Sequence, residues 1–139
     1  KEKIAALQID GYIPIITIQH LENELNTPPD AIVEDFVALS ENSPIILIGS
    51  QAHITKPILL QNGSFIHYGL GNLFFDQINE SEAHAEALID RLIFYKGNLL
   101  NVDLFPIQFI DYAQSRPMTS EEEFVYLSKI FSMSSFTLP

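Results

Sequence analysis

Apolar residues recur at helical spacing from the start of the chain. Ile4 and Leu7, with Ala5, fall on one face, and Gly11 suits the left-handed position past a helix end, so residues 2–10 are predicted helical. Ile13 to Ile18 is β-branched and apolar without alternation, which marks a strand covered on both faces, with Pro14 tolerable at its start. Thr27 then reads as a helix N-cap and Pro28 as the first helical residue; Ile32, Val33, Phe36, Val37 and Leu39 form a stripe running to Ser40. A second fully apolar strand, Pro44 to Ile48, follows.

Strand, helix, strand, with both strands apolar throughout, predicts a right-handed βαβ crossover joining parallel strands. Both strands then end at the same sheet edge, and in open sheets of this kind ligands gather beyond the carboxyl ends. Gln19-His20-Leu21-Glu22 and Gly49-Ser50-Gln51-Ala52-His53 stand there, two dense polar clusters after apolar runs. Position alone makes them a candidate site.

Further on, the pattern becomes that of hairpins. Pro57 to Gln61 and Ser64 to Tyr68 flank Asn62-Gly63, two residues that accept the positive φ of a tight turn. Residues 87–95 and 99–109, joined by Lys96-Gly97-Asn98, form a second hairpin, in which Leu100, Val102 and Leu104 alternate with Asn101 and Asp103. Asn79 to His84 reads as a polar loop. Thr119-Ser120-Glu121-Glu122 is a capping box ahead of a helix carrying Phe124, Leu127 and Phe131. The expected fold is therefore α/β, a βαβ unit followed by antiparallel hairpins and a C-terminal helix. No repeat or low-complexity linker divides residues 1–139, which read as a single unit.

Charge narrows the choice of partners. Eighteen acidic against seven basic residues give a net charge of −11, which repels phosphate backbones and anionic membranes, so nucleic acid is excluded as the expected partner. Absence of Cys removes disulfides, thiolate ligands and thiol nucleophiles, and is compatible with any redox compartment. The longest apolar runs are too short to span a bilayer, and the helical pattern at Lys1 suggests a chain that begins inside a larger protein.

Among chemistries, a serine hydrolase is poorly supported: Ser50 and His53 share a loop, but no G-x-S-x-G elbow surrounds Ser50. Gly69-Leu70-Gly71 follows a hairpin strand and lacks the third glycine of a dinucleotide fingerprint. Metal chemistry fits the strand-end clusters better, because His53, Glu22, Gln19, Gln51 and His20 offer nitrogen and oxygen donors that can converge from separate loops. The plainer alternative is a His53 that only bonds backbone in its loop. His67, inside a hairpin strand, and His84 suit structural or solvent roles, and Asn72 and Asp76, beside two glycines, read most simply as turn-makers.

The segment Ile48-Gly49-Ser50-Gln51-Ala52-His53, then Pro57, then Asn62 to Gln77 with its Tyr68-Gly69-Leu70-Gly71-Asn72-Leu73-Phe74-Phe75-Asp76-Gln77 run, resembles the end of a CapA-type capsule (poly-γ-glutamate) synthesis domain. That family's pattern is G-x-H-P-H, a strand, a short turn and a Y-S-L-G-N-F-x-F-D-Q-like stretch. Upstream, Ile16 to Gln19 and Glu22 occupy the place of its strand and H-W-G-x-E motif; downstream, the hairpin at Lys96-Gly97-Asn98, Val102 to Pro106 and Arg116-Pro117 also match. The resemblance implies the C-terminal half of a metallophosphoesterase-like sandwich, two facing mixed sheets flanked by helices, the rest being supplied by the remainder of the parent chain. It further implies a divalent metal (Mn, Zn or Mg) in loops at the sheet ends. Its implied setting is the bacterial cell envelope, in an extracytoplasmic or membrane-anchored parent.

Carried over residue by residue, the resemblance makes His53, Gln51 and Gln19 the metal positions, Glu22 and His53 the catalytic pair, and His20, Ser50, Asn72 and Asp76 the pocket. Two of the family's histidines are Gln here, at 19 and 51, and an amide is a neutral, weaker ligand for zinc-like ions. The expected function is a metal-dependent hydrolase or transferase acting on a polymer or a small phosphate or acyl substrate. The alternative is a non-catalytic polymer or cell-wall binding module on the same fold.

Overall fold

The computed structural model describes residues 1–21, 23–75, 81–110 and 114–136. Helix α1 (Glu2–Ile9) leads into β1 (Ile15–Gln19), α2 (Asp30–Ser40) and β2 (Ile46–Ser50). The hairpin β3 (Ile58–Gln61) and β4 (Ser64–His67) follows, then a 3-10 turn (Glu82–Ala85), β5 (Glu86–Tyr95), β6 (Asn98–Ile110), β7 (Gln114–Pro117), α3 (Ser120–Met133) and β8 (Ser135–Phe136). The fold is mixed α/β: a five-stranded sheet in the order β1-β2-β4-β3-β8 and a three-stranded sheet in the order β5-β6-β7.

The βαβ expectation holds, with β1 and β2 parallel and Gln19 opposite Ser50 at their carboxyl ends. Both hairpins are antiparallel. Asn62 and Gly63 take the left-handed region at φ 52° and 74° as expected; the second turn is shorter than the expected three-residue link, with Lys96 and Gly97 at 48° and 79° and Asn98 already in β6. Of the two sheets, the larger is mixed and the smaller wholly antiparallel among the described strands.

Strand alternation decides which residues meet which layer. Leu47 and Ile66 point toward α2 and join Ile32, Phe36, Ile45 and Tyr68 in one core. Their neighbours Ile46, Phe65 and Ile58 point the other way and pack on Leu92, Leu99, Val102 and Leu104 of the second sheet. Helix α3 closes the third core with Tyr126 and Ile130 against Leu88. Phe36 is fully buried, and truncating such a side chain costs about 3–5 kcal/mol.

Three local expectations are corrected. Helix α2 begins at Asp30 with Pro29 as its N-cap, not at Pro28 after a Thr27 cap. The ring of Pro29 disfavours helical dihedrals at the residue before it, so Pro28 cannot start the helix. Among the described residues strand β1 is covered on one face: Ile16 and Ile18 pack inward, Ile15 is 53% exposed, and no described strand pairs with its other edge. The polar stretch before β5 contains the 3-10 turn, in which His84 is buried. At the other end of the chain the capping box is complete, Glu122 N–H to Thr119 Oγ1 and Thr119 N–H to the Glu122 carboxylate.

Candidate functional site

The site begins where β1 and β2 end. Gly49 lets β2 run tight against the chain after β4: a β-carbon there would stand 1.9 Å from the Tyr68 carbonyl oxygen. Two residues later Gln51 adopts φ 76°, an unfavourable conformation for a side-chain-bearing residue. Its amide oxygen accepts from Gln19 Nε2 at 2.5 Å, so the two strand ends are joined by their amides. Ser50 Oγ is spent on the Ile18 carbonyl at 3.3 Å.

Opposite this pair stands His53. Asn72 Nδ2 donates to the His84 main-chain oxygen at 3.1 Å, an atom that only accepts, and this fixes which end of the Asn72 amide faces the ring. The Asn72 oxygen therefore takes the proton of His53 Nδ1, 2.9 Å away. In the neutral imidazole the lone pair is then on Nε2, which has no hydrogen bond among the described residues. Phe75 lies on the ring with centroids 4.7 Å apart. Gln19, Ser50, Gln51, His53 and Asn72, with Phe74 and Phe75, line an open cleft of about 540 Å³.

An outer shell holds these loops. Glu24 Oε2 is 2.8 Å from His84 Nε2, and Ser81 Oγ is 2.8 Å from His84 Nδ1. Thr55 Oγ1 donates to the Leu70 carbonyl and accepts from the Tyr126 hydroxyl at 2.6 Å. Burial pushes the Tyr126 phenol well up, which keeps it a donor. Lys56, fully buried, donates to oxygens of Asn23 and Leu25. Nothing in the sequence marks Lys56, because lysine is seldom buried and its acceptors come from another loop.

Of the residues singled out by sequence, Gln19, Ser50, Gln51, His53 and Asn72 come together in one cleft. His20 does not join them: its Nε2 faces α2, 3.5 Å from the Asp35 carboxylate, and its ring lies near Phe36. Glu22 and Asp76 lie outside the described residues. Among the described residues no group of three or more His, Asp or Glu gathers closely enough to hold a metal ion. One imidazole nitrogen and two amides bonded to each other do not fit a zinc-like or two-metal centre.

Comparison with known proteins places the same residues in context. Over 52 residues, 37% of this chain, it is 38% identical to the PGA biosynthesis protein CapA of Bacillus subtilis (strain 168). The matched stretch spans 14% of that relative's length. The model of the family described as bacterial capsule synthesis protein PGA_cap matches residues 1–77, a span that contains both strand-end loops, His53 and Asn72. That match takes in more than half of the chain, and the protein therefore belongs to the PGA_cap capsule synthesis family.

Proposed function

We propose that the cleft at the ends of β1 and β2 is the working site of a capsule-polymer hydrolase or transferase of the cell envelope, with His53 as the proton-transferring group. The observation that carries this is Asn72's hold on His53 Nδ1, which leaves the Nε2 lone pair for the cleft. A water or hydroxyl attacking an acyl or phosphoryl centre gives its proton to Nε2, and the resulting imidazolium returns it to the leaving group. Gln19 and Gln51 exchange their mutual bond for bonds to the ligand. A divalent ion at this site would have to draw its further ligands from outside the described residues.

Full-length protein, with and without manganese or zinc, is incubated with poly-γ-glutamate and with a neutral polysaccharide, and both binding and product release are followed. The expected result is release of product from one polymer, abolished in His53→Ala while binding persists. Because a surface of net charge −11 repels a polyanion, the neutral polymer is the expected better ligand. The Gln19–Gln51 pair favours a second reading, a binding module that holds polymer without cleaving it. Saturable, chelator-insensitive binding with no product under any metal condition would replace the first reading by the second.

A further inference from the structure

Lys56 comes three residues after His53, yet its ammonium is directed into the protein, with the side chain 1% exposed. Nζ donates to the Asn23 main-chain oxygen at 3.2 Å, the Asn23 side-chain oxygen at 2.8 Å and the Leu25 oxygen at 2.7 Å. Beside it Asn26 Nδ2 donates to the Thr55 carbonyl at 3.1 Å, so the loop after β1 is fastened to residues 55 and 56 at two points.

Between those points stands Glu24. Its carboxylate holds His84 Nε2 at 2.8 Å, the His84 main-chain oxygen holds the Asn72 amide, and Asn72 holds His53. We propose that Lys56 is a positioning residue for the cleft: a tethered cation that organises the Asn23–Leu25 turn and, through Glu24, His84 and Asn72, keeps His53 in its Nδ1–H form. It rests on the reading of His53 as the group that works in the cleft.

The test uses full-length protein labelled with 15N in histidine. Wild type shows His53 as a protonated Nδ1 and an unprotonated Nε2. Lys56→Met keeps the side-chain bulk and removes the charge; the expected result is a mixture of His53 tautomers and product release slowed about tenfold, with polymer binding unchanged. In Lys56→Ala, which leaves the room of the side chain open, the ring signals change likewise and added propylammonium restores them. Unchanged ring signals in Lys56→Met overturn the proposal, and so does a change in Lys56→Ala that the amine does not reverse, since that is lost packing alone. Should Lys56→Met not fold, Asn23→Ala, which removes one acceptor, must shift the His53 signals in the same direction, and its failure to do so sinks the idea. If wild type binds no polymer, the functional reading fails while the ring signals still decide the role of Lys56.

Discussion

His67 Nδ1 meets Asp90 Oδ2 at 2.7 Å between the two sheets, on side chains 0% and 5% exposed. Alternation along β4 puts His67 on the same face as Phe65, toward the second sheet, where Asp90 of β5 waits among Leu88 and Leu92. The other ring nitrogen of His67 and the other Asp90 oxygen are buried without a partner among the described residues. A pair of this kind tolerates joint replacement better than the loss of one member.

Asp90→Leu alone is expected to destabilise the fold by about 3–5 kcal/mol, because His67 is left buried and unpaired. His67→Phe with Asp90→Leu recovers most of that loss. Urea unfolding of the two single variants and the double variant measures the coupling; a double variant no more stable than Asp90→Leu counts against the pair as the cause.

Asn72→Leu keeps the side-chain bulk and removes both the acceptor for His53 and the donor to His84. Loss of a buried hydrogen-bonded amide should cost about 1–3 kcal/mol of stability. Released from Asn72, His53 redistributes its proton, and turnover falls by about a hundredfold or more, as general base catalysis is worth. Product release under single-turnover conditions checks the second effect separately from the first.

At Gly49 the Tyr68 carbonyl leaves no room for a methyl group. Gly49→Ala should lose about 1–3 kcal/mol through forced separation of β2 from the segment after β4. Thermal melts of the variant record the loss, and wild-type stability in Gly49→Ala would show that the close approach is not required.

Acid should weaken the junction between β7 and α3. The Arg116 guanidinium, bonded to both Glu122 oxygens at 2.7 Å, and the Thr119 backbone N–H hold the Glu122 carboxyl down at about 2. A depressed carboxylate contributes stability that is complete above its unfolded value of 4.5 and is lost as pH falls toward 2. Glu122→Gln should therefore flatten the pH dependence of unfolding in that window and leave the slope near neutrality unchanged.

What the sequence made legible was mostly local. Asn62-Gly63 and Lys96-Gly97 each carry their turn in two residues, and the Thr119 capping box needs only four. The start of α2 is set by Pro29, whose ring keeps Pro28 out of the helix although Pro28 by itself suits a first helical position. Strands β7 and β8 left no pattern, since Gln114–Pro117 and Ser135–Phe136 pair only because β6 and β3 offer an edge. In the site, Gln19, Gln51 and His53 were visible from strand order. His84 and Lys56 were not, because their burial depends on partners about sixty and thirty residues away, His84 on Glu24 and Lys56 on Asn23 and Leu25.

The left-handed backbone of Gln51 has a consequence for how this loop can change. Glycine is the residue that conformation prefers, so Gln51→Gly should make the protein more stable while deleting the amide that answers Gln19. The left-handed backbone at Gln51 is thus held together with a side chain that bridges two strand ends, so the loop joins conformational strain to the side-chain amide contact between β1 and β2 at this site.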